Sequence, residues 1–119
     1  MNQNEELRYK KHLQLLQVGS EGQEKLKAAS VLVVGAGGLG SPVLLYLAGA
    51  GVGRIRIIDD DRVSLSNLSR QVIHTTTCLD TLKVDSARKR LREHNPDIEV
   101  EVFPIRLTTE NAEVVISGN

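Results

Sequence analysis

The residues most able to do chemistry are Gly35-Ala36-Gly37-Gly38-Leu39-Gly40, then Asp59 at 19 positions past Gly40, then a polar run containing Asn67 and Arg70, then Lys83. Gly35, Gly37 and Gly40 satisfy Gly-x-Gly-x-x-Gly between an apolar run, 31–34, and a helical stretch, the arrangement in which backbone amides meet a nucleotide phosphate. In such a loop Gly35 permits the tight turn out of a strand, Gly37 admits a phosphate close to the backbone, and Gly40 lets helix and strand approach. The phosphate then meets the positive end of the helix. Asp59 closes a second apolar run, where a carboxylate accepts hydrogen bonds from ribose hydroxyls. These features serve NAD, FAD and ATP alike. A loop of the Gly-x-x-x-x-Gly-Lys-Ser/Thr type is excluded, because Ser41 and Pro42 follow Gly40.

The elements that must hold these residues alternate along the chain. Residues 31–35 read as strand one, 38–50 as its crossover helix with Pro42 tolerated in the first turn, and 54–59 as strand two after the stops Gly51 and Gly53. Residues 60–81 read as loop and short turns. A second helix over 82–95 ends at Asn95-Pro96, and 98–103 alternates as strand three. Thr109 is expected to cap a last helix through Ile116. Upstream, 5–18 reads as an amphipathic helix, and Ser20 and Gln23 have capping-box spacing for a short helix to Lys27. The expectation is an α/β chain: a Rossmann-like, doubly wound parallel sheet represented by its amino-terminal mononucleotide-binding half, with strands in spatial order 3-2-1. Residues 1–29 are expected to form a helical lead-in, and 30–119 a partial nucleotide-binding domain whose carboxy-terminal half is absent. Strand one is then an open edge, and such an edge recruits another chain.

Composition bounds the size and setting of the chain and is silent on its partners. At 119 residues, with 40% hydrophobic and 25% charged residues, the chain is sized for one domain with a modest core. Fifteen Lys plus Arg balance fifteen Asp plus Glu, so nothing in the net charge favours nucleic acid or an anionic membrane, and neither is expected as a partner. No apolar run approaches the ~20 residues of a membrane helix, and the start of the chain lacks an apolar signal core, so a cytoplasmic setting is expected. The single cysteine, Cys78, removes disulfide frameworks and Cys-x-x-Cys metal sites.

From Arg8-Tyr9-Lys10-Lys11, through 18–23, the glycine block, 51–53 and the run from Asp59 to Gln71, to Lys83, the chain resembles the MoeB/ThiF/HesA family, bacterial relatives of ubiquitin-activating enzymes. The resemblance implies that ATP is used to place AMP on the carboxy-terminal glycine of a ubiquitin-like sulfur carrier of the MoaD or ThiS type, on the molybdopterin or thiamine route. It also implies a homodimer. By that pattern Gly38 lies against the phosphates, Asp59 binds ribose, and Asn67, Arg70 and Lys83 contact the triphosphate. Lys11 stands where relatives carry the second arginine of Arg-Tyr-x-Arg, which reaches into the partner subunit's site; lysine keeps the charge without the bidentate fork. The family pattern continues past residue 119 into an Asp-x-Thr-Asp-Asn segment that helps hold magnesium, and often a zinc-binding cysteine quartet. The chain is therefore expected to be the amino-terminal piece of such an enzyme, inactive alone.

Other readings of the same residues stand beside this one. The half-fold is shared with NAD(P)-dependent oxidoreductases, and a fragment of it could act as a non-catalytic docking or dimerisation module. Asp60 and Asp61 read as solvated loop carboxylates balanced locally by Arg62, and no metal ligands are assigned. His12, His74 and His94 have no partner at ligand or catalytic spacing and read as structural or surface residues, Cys78 as incidental. The cations of the second helix (Lys83, Arg88, Lys89, Arg90, Arg92) make it basic, a run that is ordinarily solvent-exposed.

Overall fold

The computed structural model describes residues 2–10, 19–37, 40–68 and 71–117. Three parallel strands, β1 (Ser30–Val34), β2 (Arg54–Ile58) and β3 (Glu99–Phe103), form one sheet in the order β1-β2-β3, with Val31 opposite Ile55 and Ile55 opposite Val100. Parallel neighbours need crossovers, and helices α3 (Gly40–Ala50) and α4 (Lys83–His94) supply them. Two shorter helices, α1 (Gln3–Arg8) and α2 (Gly19–Ala28), precede the sheet, and α5 (Ala112–Ile116) follows it. The expected parallel α/β order is present, with strand boundaries within one residue of those read from the sequence. Among the described residues no helix is long and apolar enough to cross a membrane.

Alternation along β2 divides the sheet into two unlike faces. Ile55 and Ile57 point with Val31, Val33, Val100 and Val102 toward α3 and α4, where Leu44, Ala48, Val84, Ala87 and Leu91 close over them without solvent exposure. Removal of this apolar area from water is the main force ordering sheet and helices together. The opposite face carries Arg54, Arg56 and Glu101. Glu101 accepts from Arg54 Nη2 at 2.9 Å and from Arg56 Nε at 3.3 Å, while the Arg56 guanidinium lies 4.9 Å from the Phe103 ring centre. Arg56 is buried, and the carboxylate and the ring face offset the desolvation of its charge.

The amino-terminal segment is tied into this layer. Asn2 and Glu5 form a reciprocal capping box on α1, and the buried Glu5 also pairs with Lys27 Nζ of α2 at 3.2 Å. The backbone N–H of Asn2, followed in effect by Lys27, holds the Glu5 carboxyl below its usual range against the opposing pull of burial. Asn95, at the end of α4, is fully buried. Its Nδ2 donates to the Tyr9 hydroxyl and to the Ala48 carbonyl, both at 2.8 Å, while its Oδ1 accepts from Asp97 N–H. One side chain thereby joins the lead-in, the last turn of α3 and the turn into β3.

Two cap expectations are corrected. Ser20 already lies within α2, and Gln23 is buried with its amide nitrogen donating to the Ala50 carbonyl at 2.8 Å, so Gln23 reaches across to the end of α3. The last helix starts at Ala112, three residues past Thr109. The reciprocal bonds before it are made by Thr108 and Asn111, because their spacing of three lets each side chain meet the other's N–H. The expected helix over 5–18 is present as α1 in its first part, and 11–18 lie outside the described residues.

Asn95→Ala leaves the Ala48 carbonyl and Tyr9 hydroxyl facing a cavity. The expected loss is roughly 2–3 kcal/mol of unfolding free energy, read as a lowered urea midpoint at unchanged slope.

Candidate functional site

β1 leaves the sheet through Gly35, whose φ of +96° only glycine adopts freely and whose N–H still donates to the Ile58 carbonyl at 2.8 Å. Gly40 then begins α3 directly over this turn. A Cβ at Gly40 would collide with the Gly35 carbonyl, so the glycine is required for the approach of helix to strand. Gly37 differs: a Cβ there would meet only the Gln71 amide, at an ordinary 3.6 Å. No group of the described chain forbids a side chain at Gly37.

Between these glycines, Ala36 is completely buried and both of its backbone polar groups are engaged. Its N–H donates to Asp59 Oδ2 at 2.9 Å. Its carbonyl accepts from His74 Nε2 at 2.7 Å and from Ser41 Oγ at 3.3 Å. Asp59, at the carboxyl end of β2, uses its other oxygen to accept Asp61 N–H at 2.8 Å. The carboxylate thus braces the glycine loop and its own turn, with lone pairs beyond these two bonds able to accept from a ligand hydroxyl.

The segment 60–82 leaves and returns at one point. Arg62 and Leu82 form an antiparallel bridge, Val63 N–H donates to the Thr81 carbonyl, and Lys83 N–H donates to the Asp61 carbonyl at 2.9 Å. This closure sets Lys83, the first residue of α4, beside the Asp59 turn. Lys83 is buried, with Nζ 3.7 Å from the exposed Asp61 carboxylate. It is therefore not one of the solvated cations of the helix, although Lys89, Arg90 and Arg92 are exposed as expected. Its position sets a positive charge at the positive end of a helix, an arrangement that favours an anion nearby. Arg62 does not balance its acidic neighbours; its Nη1 donates to the Asp80 carbonyl at 2.7 Å, and Lys83 is the partner of Asp61.

Inside the loop, 71–74 dips into the protein, burying Gln71, Ile73 and His74. His74 Nδ1 lies 2.7 Å from Ser86 Oγ of α4. Because the Ala36 carbonyl can only accept, Nε2 carries the proton, and in the neutral ring Nδ1 accepts from the serine hydroxyl. Burial is the largest influence on His74 and holds its pKa below the usual histidine range; the hydrogen bond to Ala36 opposes this, Lys83 adds to it, and Asp59 opposes it.

Of the residues expected at the site, the structure gathers Gly35, Gly37, Gly40, Asp59 and Lys83 at the carboxyl end of β1 and β2. Lys11, Gly38, Arg70 and the side chain of Asn67 lie outside the described residues. The sequence reading did not find His74, Ser86, Ser41 or Gln71 as contributors. For His74 the partners are a backbone carbonyl and a serine, which leave no carboxylate or cysteine spacing to read.

The sequence pattern of the ThiF family matches residues 9–118. The chain belongs to the ThiF family. It is 58% identical over 105 residues to a sulfur carrier protein adenylyltransferase of Thermus thermophilus, covering 88% of this chain and 39% of that protein. It is 53% identical over 116 residues to adenylyltransferase and sulfurtransferase MOCS3 of Culex quinquefasciatus, covering 98% and 26%. Among solved structures, the E. coli tRNA N6-threonylcarbamoyladenosine dehydratase TcdA in complex with ATP superposes with a TM-score of 0.93 at 28% identity, over 99% of this chain and 48% of that one. The chain thus spans about a quarter to two-fifths of the length of these two curated relatives.

The His74 environment fixes a pH response. The folded-state pKa is lowered, so between the folded and unfolded values the unfolded chain binds more protons and stability rises with pH. This contribution is complete above the unfolded value of about 6.5 and is lost as pH falls below it. Urea midpoints measured from pH 7.5 down to 5 should therefore decline in the wild type, with a shallower decline in His74→Gln.

Proposed function

We propose that the protein is an ATP-dependent adenylyltransferase that transfers AMP to the carboxy-terminal glycine of a ubiquitin-like sulfur carrier, working in the cytoplasm as a homodimer. The observation that carries this reading is the buried Lys83, held at the start of α4 beside the turn that follows Asp59, whose carboxylate in turn braces the glycine loop at Ala36. A cation in that place suits the charge of a triphosphate. The names of the curated relatives supply the acceptor class, since they pair adenylyltransferase with sulfur carrier or sulfurtransferase.

The reaction joins two anions. A carboxylate oxygen of the carrier attacks the α-phosphorus of ATP, the bond to the bridging oxygen breaks, and pyrophosphate leaves with its charge. Cations and backbone donors must stabilise that developing charge, and no side chain of the enzyme need act as nucleophile. Gly37 and Gly38, with the start of α3, receive phosphate oxygens; Asp59 takes the ribose hydroxyls; Asn67, Arg70 and Lys83 contact the triphosphate, with Arg70 offering a fork and Lys83 a point charge. The space at Gly37 is compatible with this, because among the described residues only the Gln71 amide comes near it, at 3.6 Å. Lys11 serves the site of the partner subunit.

Magnesium supplies charge neutralisation of the phosphates in such a reaction. Asp59, Asp60 and Asp61 bring carboxylate oxygens within 4.8 Å of one another, yet Asp59 accepts a backbone N–H on each oxygen and Asp61 is paired with Lys83. These residues do not form a prepared cation cage. Zinc has no ligand set among the described residues.

In the intact protein, Lys83→Met and Arg70→Ala should each reduce carrier-dependent exchange of labelled pyrophosphate into ATP by roughly a hundredfold or more, with unfolding midpoints near wild type. Unchanged exchange in both variants removes the site assignment. A wild-type protein that binds NADH in preference to ATP removes the adenylylation reading itself.

A further inference from the structure

We propose that His74, seated by Ser86, is a positioning residue for the phosphate loop, holding the Ala36 carbonyl inward so that the Gly37 amide faces the nucleotide phosphates. The proposal rests on the adenylylation reading for the identity of the ligand.

A peptide unit is planar and, with no cis bonds among the described residues, trans here; the carbonyl of Ala36 and the N–H of Gly37 therefore point in opposite directions. The carbonyl is directed into the protein by two donors, His74 Nε2 at 2.7 Å and Ser41 Oγ at 3.3 Å. The Gly37 N–H is thereby aimed away from the interior, and among the described residues a Cβ at Gly37 would meet nothing nearer than the Gln71 amide at 3.6 Å. An outward N–H on a glycine that borders a helix start is a phosphate donor held in advance of the ligand.

The two tethers on the carbonyl are not equivalent. Ser41 belongs to α3, so its longer bond moves with the helix that the loop begins. His74 comes from a different part of the chain, and Ser86 fixes it to α4 at 2.7 Å. The loop is thus referenced to the second crossover helix, the one that starts with Lys83. Phosphate donor and phosphate cation are held in one frame through the sequence Ala36, His74, Ser86, α4, Lys83. A histidine suits this because its two ring nitrogens lie on opposite sides, one donating to the loop and the other accepting from the helix.

The test compares three substitutions in the intact protein. His74→Phe keeps the ring volume without a donor; His74→Gln places an amide N–H near the position of Nε2; Ser86→Ala removes the seat. Loop order is read without nucleotide, as hydrogen exchange of peptides covering 35–40. Function is read as KM for ATP, KM for the carrier and kcat in pyrophosphate exchange. In His74→Phe, loop exchange should quicken and KM for ATP should rise by roughly tenfold, with KM for the carrier unchanged, as for loss of a hydrogen bond that orients a binding group. His74→Gln should recover most of both effects, and Ser86→Ala should fall between. Equal behaviour of the Phe and Gln variants, or loop exchange in His74→Phe and Ser86→Ala indistinguishable from wild type, overturns the positioning role. If His74→Phe does not fold, the exchange readout in Ser86→Ala and His74→Gln decides. A wild type with no ATP turnover defeats the adenylylation reading instead, and the exchange measurement still decides whether His74 orders the loop.

Discussion

The fixation of one buried peptide, that of Ala36, is the constraint on which the site depends. A strand-to-helix turn built from glycines has little conformational preference of its own, since each glycine admits more backbone states than any other residue. Order must come from outside the turn. It comes from Asp59 at the end of the neighbouring strand, from His74 in the long loop, and from Ser41 in the helix that follows. Each tether originates on a different element, so the loop is located with respect to β2, to α4 and to α3 together. The glycines then allow the approach that the tethers specify: at Gly40 the helix comes so close to the strand exit that no Cβ fits.

These elements are themselves held by an apolar layer and a small number of buried polar ties. Ile55 and Ile57 place the central strand under both crossover helices, and this burial is insensitive to direction: it would tolerate sliding of one helix against another. Asn95 removes that freedom at the end remote from the site, by fixing the end of α4 against the Ala48 carbonyl of α3 and the Tyr9 hydroxyl. The antiparallel bridge between Arg62 and Leu82 removes it at the near end, where it decides where Lys83 emerges. Hydrophobic burial supplies the stability and directional hydrogen bonds supply the register.

The sequence was informative where a requirement is local and uninformative where it is tertiary. Strand, helix and turn positions were legible because apolar periodicity and the punctuation of Gly51, Gly53 and Asn95-Pro96 are properties of adjacent residues. The glycine block and Asp59 were legible because the spacing between a strand exit and the end of the next strand is nearly constant in this half-fold. Gln23 and Thr109 were misread because capping patterns name residue types, and the fold employed Gln23 for a contact 27 residues away. His74 was passed over for the same reason. Its partners, a carbonyl 38 residues before it and a hydroxyl 12 residues after it, are ordinary groups that acquire meaning only when the loop closes.

The charges around the loop show why a neutral histidine fits this place. Under the proposed adenylylation Lys83 is the cation near the helix starts, and its charge sits buried at an unfavourable helix end, at a cost in stability. A second full charge beside Lys83 would raise that cost and would repel the cation it has to accompany. Burial, together with Lys83, keeps the His74 ring uncharged, and an uncharged ring has one donor and one acceptor, the combination that joins a carbonyl to a serine hydroxyl. A lysine or arginine could satisfy the Ala36 carbonyl but would offer no acceptor to Ser86, and a protonated ring would turn both nitrogens into donors. The burial around His74 and the nearby charge of Lys83 thus favour the ring state that donates to Ala36 and accepts from Ser86.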